Sequence, residues 1–249
     1  MKIGCSSESF ARSIESGELT QLEWLDVCAN ELEVDGVVFT LAHFPRTDAE
    51  YLAQLKKLCA DLGLTIAGVA APAGLWNDGA TALDLAFALG APLVIGTATP
   101  SRDDPDAWGT FTEAVKRCAR LAKERNVTLA IRNAAGTLCA NGADLRRLAK
   151  DVDSAWLRFA PALAALDDED AHTLLPKSAI AIHEIADLET FAAGPTGEAS
   201  MLIARLARFR AFAILDAARA RAESPSQDHP YHAALERFAN LRTQTLAKL

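Results

Sequence analysis

The residues with chemical potential in this sequence are charged and polar groups that directly follow short apolar runs. Arg132 and Asn133 follow LAI, His183 and Glu184 follow or interrupt AIAI, and Asp216 follows AIL. A charge at the end of a buried strand must be paired or wet, because an unpaired buried charge is costly. Arg132 is a permanent cation suited to stabilising an oxyanion. His183, Glu184 and Asp216 are types that move protons. These four are the candidate catalytic residues. A second set suits ligand contact: Glu8 after KIGC, His43 after VVFT, Trp76 as an aromatic wall, Asn133, and Arg158 within WLRFA. The plainer alternative is a structural ion-pair network at the strand ends, with Glu8 solvated and His43 packed on Phe44 and Pro45.

Several chemistries lack their usual frames. No His-x-x-x-His spacing occurs, and Arg132 among the acidic and imidazole candidates opposes a cation, so the residues by themselves call for no metal and no cofactor. Ser6 and Ser7 do not sit in a nucleophile elbow. Neither a G-x-G-x-x-G fingerprint nor a P-loop follows the first strand.

The elements that must position these groups alternate regularly. KIGC (2–5), VDGVVFT (34–40), LTIAGVA (64–70), PLVIGTA (92–98), VTLAI (127–131), WLRFA (156–160), AIAIHEI (179–185) and AFAIL (211–215) read as eight strands. Between them, helical patterns are predicted over 19–32, 48–62, 77–89, 107–125, 142–150 and 198–209, with a closing helix over 232–249. Thr20 and Glu23 have capping-box spacing. Gly63 and Gly90 stop the second and third helices. Phe111, Val115, Cys118 and Leu121 make a stripe along the fourth. The unit at 161–178 is shortened to one or two helical turns near 167–175, and 217–231 reads as a polar loop. The pattern predicts an α/β chain forming one (β/α)8 TIM barrel over residues 1–249, with an open doubly wound sheet as the alternative. In a barrel the candidate residues all fall at the C-terminal ends of the strands, where such folds place their sites.

Composition narrows the partners. Half of the chain is hydrophobic, 23% is charged, and the net charge is -8. That balance argues against a nucleic-acid partner. The most apolar stretch, 82–98, is interrupted by Asp84, Gly90, Pro92 and Gly96, so no membrane span is expected. MKIGCSSESF lacks the apolar run of a signal peptide. Cys5, Cys28, Cys59, Cys118 and Cys139 are widely spaced small hydrophobes, and the expected compartment is the reducing cytoplasm. Apolar outer helices make a homodimer an expectation.

Taken together, MKIGCSSESF, ELEVDGVVF, ALDLAFALGAPLVIG and AVKRCARLAKERNVTLAIRNAAGTL resemble the xylose-isomerase-like barrel superfamily, which includes sugar phosphate isomerases, epimerases and endonuclease-IV-type repair enzymes. The resemblance weakens after residue 160. It implies isomerase or epimerase chemistry at a divalent metal held by Glu, Asp, His and Glu at the ends of the later strands. This chain departs from that pattern. Arg132 stands where the strand-five Glu is implied, Ala160 at the strand-six Asp, Val38 where strand two often has Glu, and Asp216 at the strand-eight Glu. His183 aligns with either of two strand-seven positions. The departures leave three readings: a barrel that has lost metal catalysis and binds a small polar or anionic ligand, a metal-independent isomerase or epimerase using Arg132 as electrophile, and a non-catalytic scaffold or regulatory protein. The acidic charge and departed ligands make DNA repair the poorest fit.

Overall fold

The computed structural model describes residues 2–71, 75–98, 105–184, 206, 209–216, 239 and 243, with backbone alone for Ala164, Asp168, His183 and Glu184. Eight parallel strands are present: β1 (Lys2–Ser6), β2 (Gly36–Thr40), β3 (Thr65–Ala70), β4 (Leu93–Thr97), β5 (Thr128–Arg132), β6 (Leu157–Phe159), β7 (Ile180–Glu184) and β8 (Phe212–Asp216). Their order is β6-β5-β4-β3-β2-β1-β8-β7, so the last strand returns beside the first. The remaining seam, between β6 and β7, is spanned by two parallel bridges, Phe159 to Ser178 and Ala162 to Ile182. There the Ala179 and Ile182 amides donate to the carbonyls of Phe159 and Pro161, each at 2.8 Å. This is the (β/α)8 barrel that the alternating pattern predicts, not an open sheet.

Seven α-helices are described: α1 (Ala11–Glu15), α2 (Gln21–Asp26), α3 (Ala49–Asp61), α4 (Gly79–Leu89), α5 (Ala107–Glu124), α6 (Gly142–Val152) and α7 (Asp168–Leu174). The capping box at Thr20 and Glu23 forms in full. The helix expected over 19–32 does not stay α-helical. After α2 it widens into a π turn, Val27–Glu31, closed by Leu32 N donating to Val27 O at 2.9 Å. The expected stripe on α5 holds, with Phe111, Val115 and Cys118 buried and Leu121 packed against the core. Between β6 and β7 the shortened unit contains the seven-residue α7 flanked by 3-10 turns at Leu163–Ala165 and Leu175–Lys177. The helices expected over 198–209 and 232–249, and the loop over 217–231, lie almost wholly outside the described residues.

Apolar side chains are buried in two layers, as alternation along a barrel strand requires. The outer layer, between strands and helices, includes Leu25, Phe39, Leu55, Leu83, Phe111, Leu129 and Leu145. The inner layer fills the barrel with Val38, Ala67, Leu93, Ile95, Ala130, Ala160, Ile180, Ile182 and Ile214. Small residues on β1 and β2 admit large ones from β8. A Cβ at Gly4 would stand 2.6 Å from Ile214 Cδ1, and one at Gly36 would stand 2.8 Å from the Phe212 ring.

Candidate functional site

Alternation carries Arg132 to the barrel mouth. Ala130 belongs to the inner layer, so Arg132, two residues on, shares its face at the C-terminal end of β5. Asp216 stands in the same relation to Ile214 at the end of β8. Arg132 Nη2 donates to Asp216 Oδ2 at 3.1 Å. β5 and β8 are not neighbours in the sheet, so this ion pair reaches across the mouth. The Asp216 side chain is 5% exposed and that of Arg132 is 20% exposed.

Beside the pair lies a cavity of about 470 Å³. Val38, Ile95, Ile180, Ile182 and Ile214 give it aliphatic walls from the inner layer. Ser6, Glu8, Thr97, Arg132, Thr137 and Asp216 supply its polar groups. The volume and the mixture of aliphatic wall with a few polar groups suit one small molecule. Glu8 enters on the 3-10 turn that follows β1. Ser6 caps that turn by accepting from the Glu8 amide at 3.3 Å.

Next to Glu8 is a buried clasp. Ser7 Oγ accepts from Thr40 N at 2.9 Å and lies 2.9 Å from His43 Nδ1. Ser7 is fully buried, so its hydroxyl proton needs a buried acceptor, and His43 Nδ1 supplies it. That assigns the neutral, Nε2-protonated tautomer to His43. Burial holds its imidazole below the ordinary value, against the opposing pull of the Glu8 and Glu15 carboxylates.

The structure therefore brings three of the sequence-derived candidates, Glu8, Arg132 and Asp216, to one cavity, and places His43 behind Glu8 without lining it. Three others stand elsewhere. Trp76 is not the expected aromatic wall: it is buried, its Nε1 donates to Thr97 O at 2.8 Å, and its ring meets Phe111 edge-on. Asn133 faces away from the cavity, and its amide clamps the Ala162 backbone, accepting from N at 2.8 Å and donating to O at 3.3 Å. Arg158 does not line the cavity. Its register partner on β5 is Ala130, two residues short of the mouth, and its exposed side chain turns back to the Leu157 carbonyl. On β7, His183 pairs in register with Leu215 and Glu184 with Asp216, while their side chains lie outside the described residues.

Thr97 and Thr137 line the cavity without having been singled out from the sequence. Thr97 was accessible to the period-2 rule, because it follows the inner-layer residue Ile95 by two and pairs with Arg132. Thr137 sits in the turn after β5, where no periodicity marks it.

Residues 28–196 match the model of the xylose isomerase-like TIM barrel family, and the chain belongs to that family. No curated protein matches it in sequence. Among solved structures it is similar to a D-psicose 3-epimerase from Clostridium cellulolyticum H10 crystallised with D-tagatose, at 14% identity and TM-score 0.74, covering 100% of this chain and 99% of that one. A probable 3-DHS dehydratase from Bacillus anthracis gives 13% identity and TM-score 0.74 over 99% of each chain. A 3-keto-D-glucoside 4-epimerase from E. coli gives 15% identity and TM-score 0.71, covering 98% of this chain and 99% of that one. At such identities the likeness is one of fold, and the activities of these proteins differ, so the reaction must be argued from the site.

Proposed function

We propose that this barrel is an isomerase- or epimerase-like member in which an internal arginine–carboxylate pair replaces the metal-centred site that the family resemblance implies, and that its cavity binds a small polar ligand. The carrying observation is the Arg132–Asp216 pair at the mouth. A guanidinium where an anionic ligand is implied repels a divalent cation, and it occupies the one carboxylate kept at an implied ligand position. Ala160, at the implied strand-six ligand, is buried in the inner layer and has no donor atom. Among the described residues, no three His, Cys, Asp or Glu side chains converge as metal ligands do. The described residues do not supply the ligand set that such a metal needs. Metal analysis of protein purified with Mn, Mg, Co and Zn supplied tests the reading. The expected result is a substoichiometric content of each, unchanged in Asp216→Asn. One equivalent per chain, lost in Asp216→Asn, would overturn it.

A second reading is favoured by the two carboxylates, Glu8 and Asp216, that share the cavity with Arg132. It is metal-independent proton transfer. A carboxylate takes the proton from a carbon beside a carbonyl, the electron pair moves to the oxygen as an enediolate, and Arg132 stabilises that oxyanion; the proton then returns to the opposite face of the same carbon, or to the adjacent carbon while the hydroxyl proton passes from one oxygen to the other. His183 and Glu184, on the neighbouring strand, are the further proton carriers of this reading. Incorporation of solvent deuterium into ketoses and aldoses checks it. No incorporation across a broad sugar panel would leave the ligand-binding reading alone.

A further inference from the structure

We infer that the cavity takes an uncharged, hydroxylated ligand with an apolar edge and discriminates against phosphorylated and acidic ligands. This inference rests on the proposal that the cavity binds a sugar-sized molecule. Charge is the first argument. Among the described residues lining the cavity, Arg132 is the one cation, against the two carboxylates Glu8 and Asp216. Arg132 is engaged by Asp216 at 3.1 Å, so an incoming anion must displace a nearly buried carboxylate or share the guanidinium with it. Either arrangement leaves the anion facing both carboxylates beside aliphatic walls, where like charges are less screened than in bulk water. A phosphate ester, carrying nearly two charges, is the least compatible.

Shape and polarity give the second argument. Val38, Ile95, Ile180, Ile182 and Ile214 wall the cavity from the inner layer, and all five are branched aliphatics without a polar atom. A hydroxyl pressed against them would lose its hydration without gaining a partner. The polar groups Ser6, Thr97 and Thr137 belong to strand ends and a turn, on the mouth side of that layer. A ligand that fills the cavity is thus solvated by hydroxyls and carboxylates on one side and by hydrocarbon on the other. Its best fit is a deoxygenated or C–H-rich edge directed toward the isoleucines.

Two probe series isolate one substituent at carbon 6: 6-deoxy-D-fructose, D-fructose and D-fructose 6-phosphate, and the three corresponding D-glucose compounds. Titration calorimetry with the full chain is the measurement. In the series that binds, the 6-deoxy compound is expected to bind about tenfold tighter than the phosphate ester, the scale on which an apolar pocket resolves one group. The Glu8→Arg variant should shift that ratio toward the phosphate ester. An equal or tighter phosphate ester in wild-type protein would overturn the inference and leave the ligand-binding reading intact. Absence of binding by all six, with the Arg132–Asp216 pair verified by its effect on stability, would overturn both.

Discussion

The Arg132–Asp216 pair concentrates the physical stakes of the site in two residues. Asp216 is nearly buried, so Arg132→Ala would strand a carboxylate with little access to water. We expect a loss of about 3 kcal/mol, characteristic of breaking a buried pair, against the ~0–1 kcal/mol of an exposed one. Urea unfolding measures it. The double variant Arg132→Ala/Asp216→Ala should cost clearly less than the sum of the two single variants, since neither charge is then abandoned; strict additivity would show that the pair carries no coupling. His43 supplies a prediction of another kind. Its folded-state value lies below the ordinary imidazole value of 6.5, because burial disfavours the charged ring. The unfolded chain therefore binds the proton first as pH falls. Stability from this group is present above about pH 6.5, is lost progressively as pH falls below it, and levels off below the folded-state value. Protonation at Nδ1 would also deprive the Ser7 hydroxyl of its acceptor. Unfolding free energies at pH 5, 6, 7 and 8 should rise with pH, and His43→Asn should flatten that slope between pH 5 and 7. An unchanged slope in the variant would assign the dependence to other groups.

At the scale of elements, glycines show how neighbouring helices are set. Gly142 opens α6 and donates its amide to Asp170 of α7 at 3.0 Å, and Asp170 also pairs with Arg146 at 2.5 Å. A Cβ at residue 142 would collide with the Asp170 carboxyl group. Gly142→Ala should displace that cap and cost about 1–2 kcal/mol. A Cβ added at Gly109, in the first turn of α5, would meet nothing within 4 Å. Gly109→Ala should therefore stabilise by about 0.5–1 kcal/mol. Opposite signs in thermal unfolding are the expected outcome; the same sign for both would undo the packing argument. The order of elements was legible in the sequence because buried strands and amphipathic helices carry different periods, and because Thr20, Gly63 and Gly90 mark ends chemically. The π turn after α2 was not, since an i to i+5 closure depends on how the chain docks into β2. The site was legible in part. Charges after apolar runs located Arg132 and Asp216, but side-chain type misdirected Trp76 and Asn133, whose polar atoms are satisfied by backbone. Arg158 was misplaced because β6 is three residues long and stops below the mouth.

For the molecule as a whole, the critical feature is how the barrel closes. Seven of the eight strand junctions are ladders, whereas β6 and β7 meet through two single bridges. The Asn133 amide reinforces this seam by holding the Ala162 N–H and C=O, and Ala162 is itself one of the bridging residues. β5 and β8 flank the seam, and they carry the two halves of the Arg132–Asp216 pair. Opening there would separate the ion pair and widen the cavity, so stability of the seam and integrity of the site are linked. Hydrogen exchange at the Ala179 and Ile182 amides should be faster than in the β4–β5 ladder, in keeping with local opening where paired backbone is sparse. Asn133→Ala leaves both Ala162 groups without their partner in a buried position and should cost about 2 kcal/mol. Its exchange effect should be local: the two seam amides accelerate, while those of β4 and β5 follow only the drop in global stability. The loss caused by Arg132→Ala should then shrink in the Asn133→Ala background, because the pair is partly separated already. Seam amides as protected as the β4–β5 ladder, together with an undiminished Arg132→Ala cost, would show that the barrel is rigid across this junction and that the ion pair owes nothing to the Asn133 clamp.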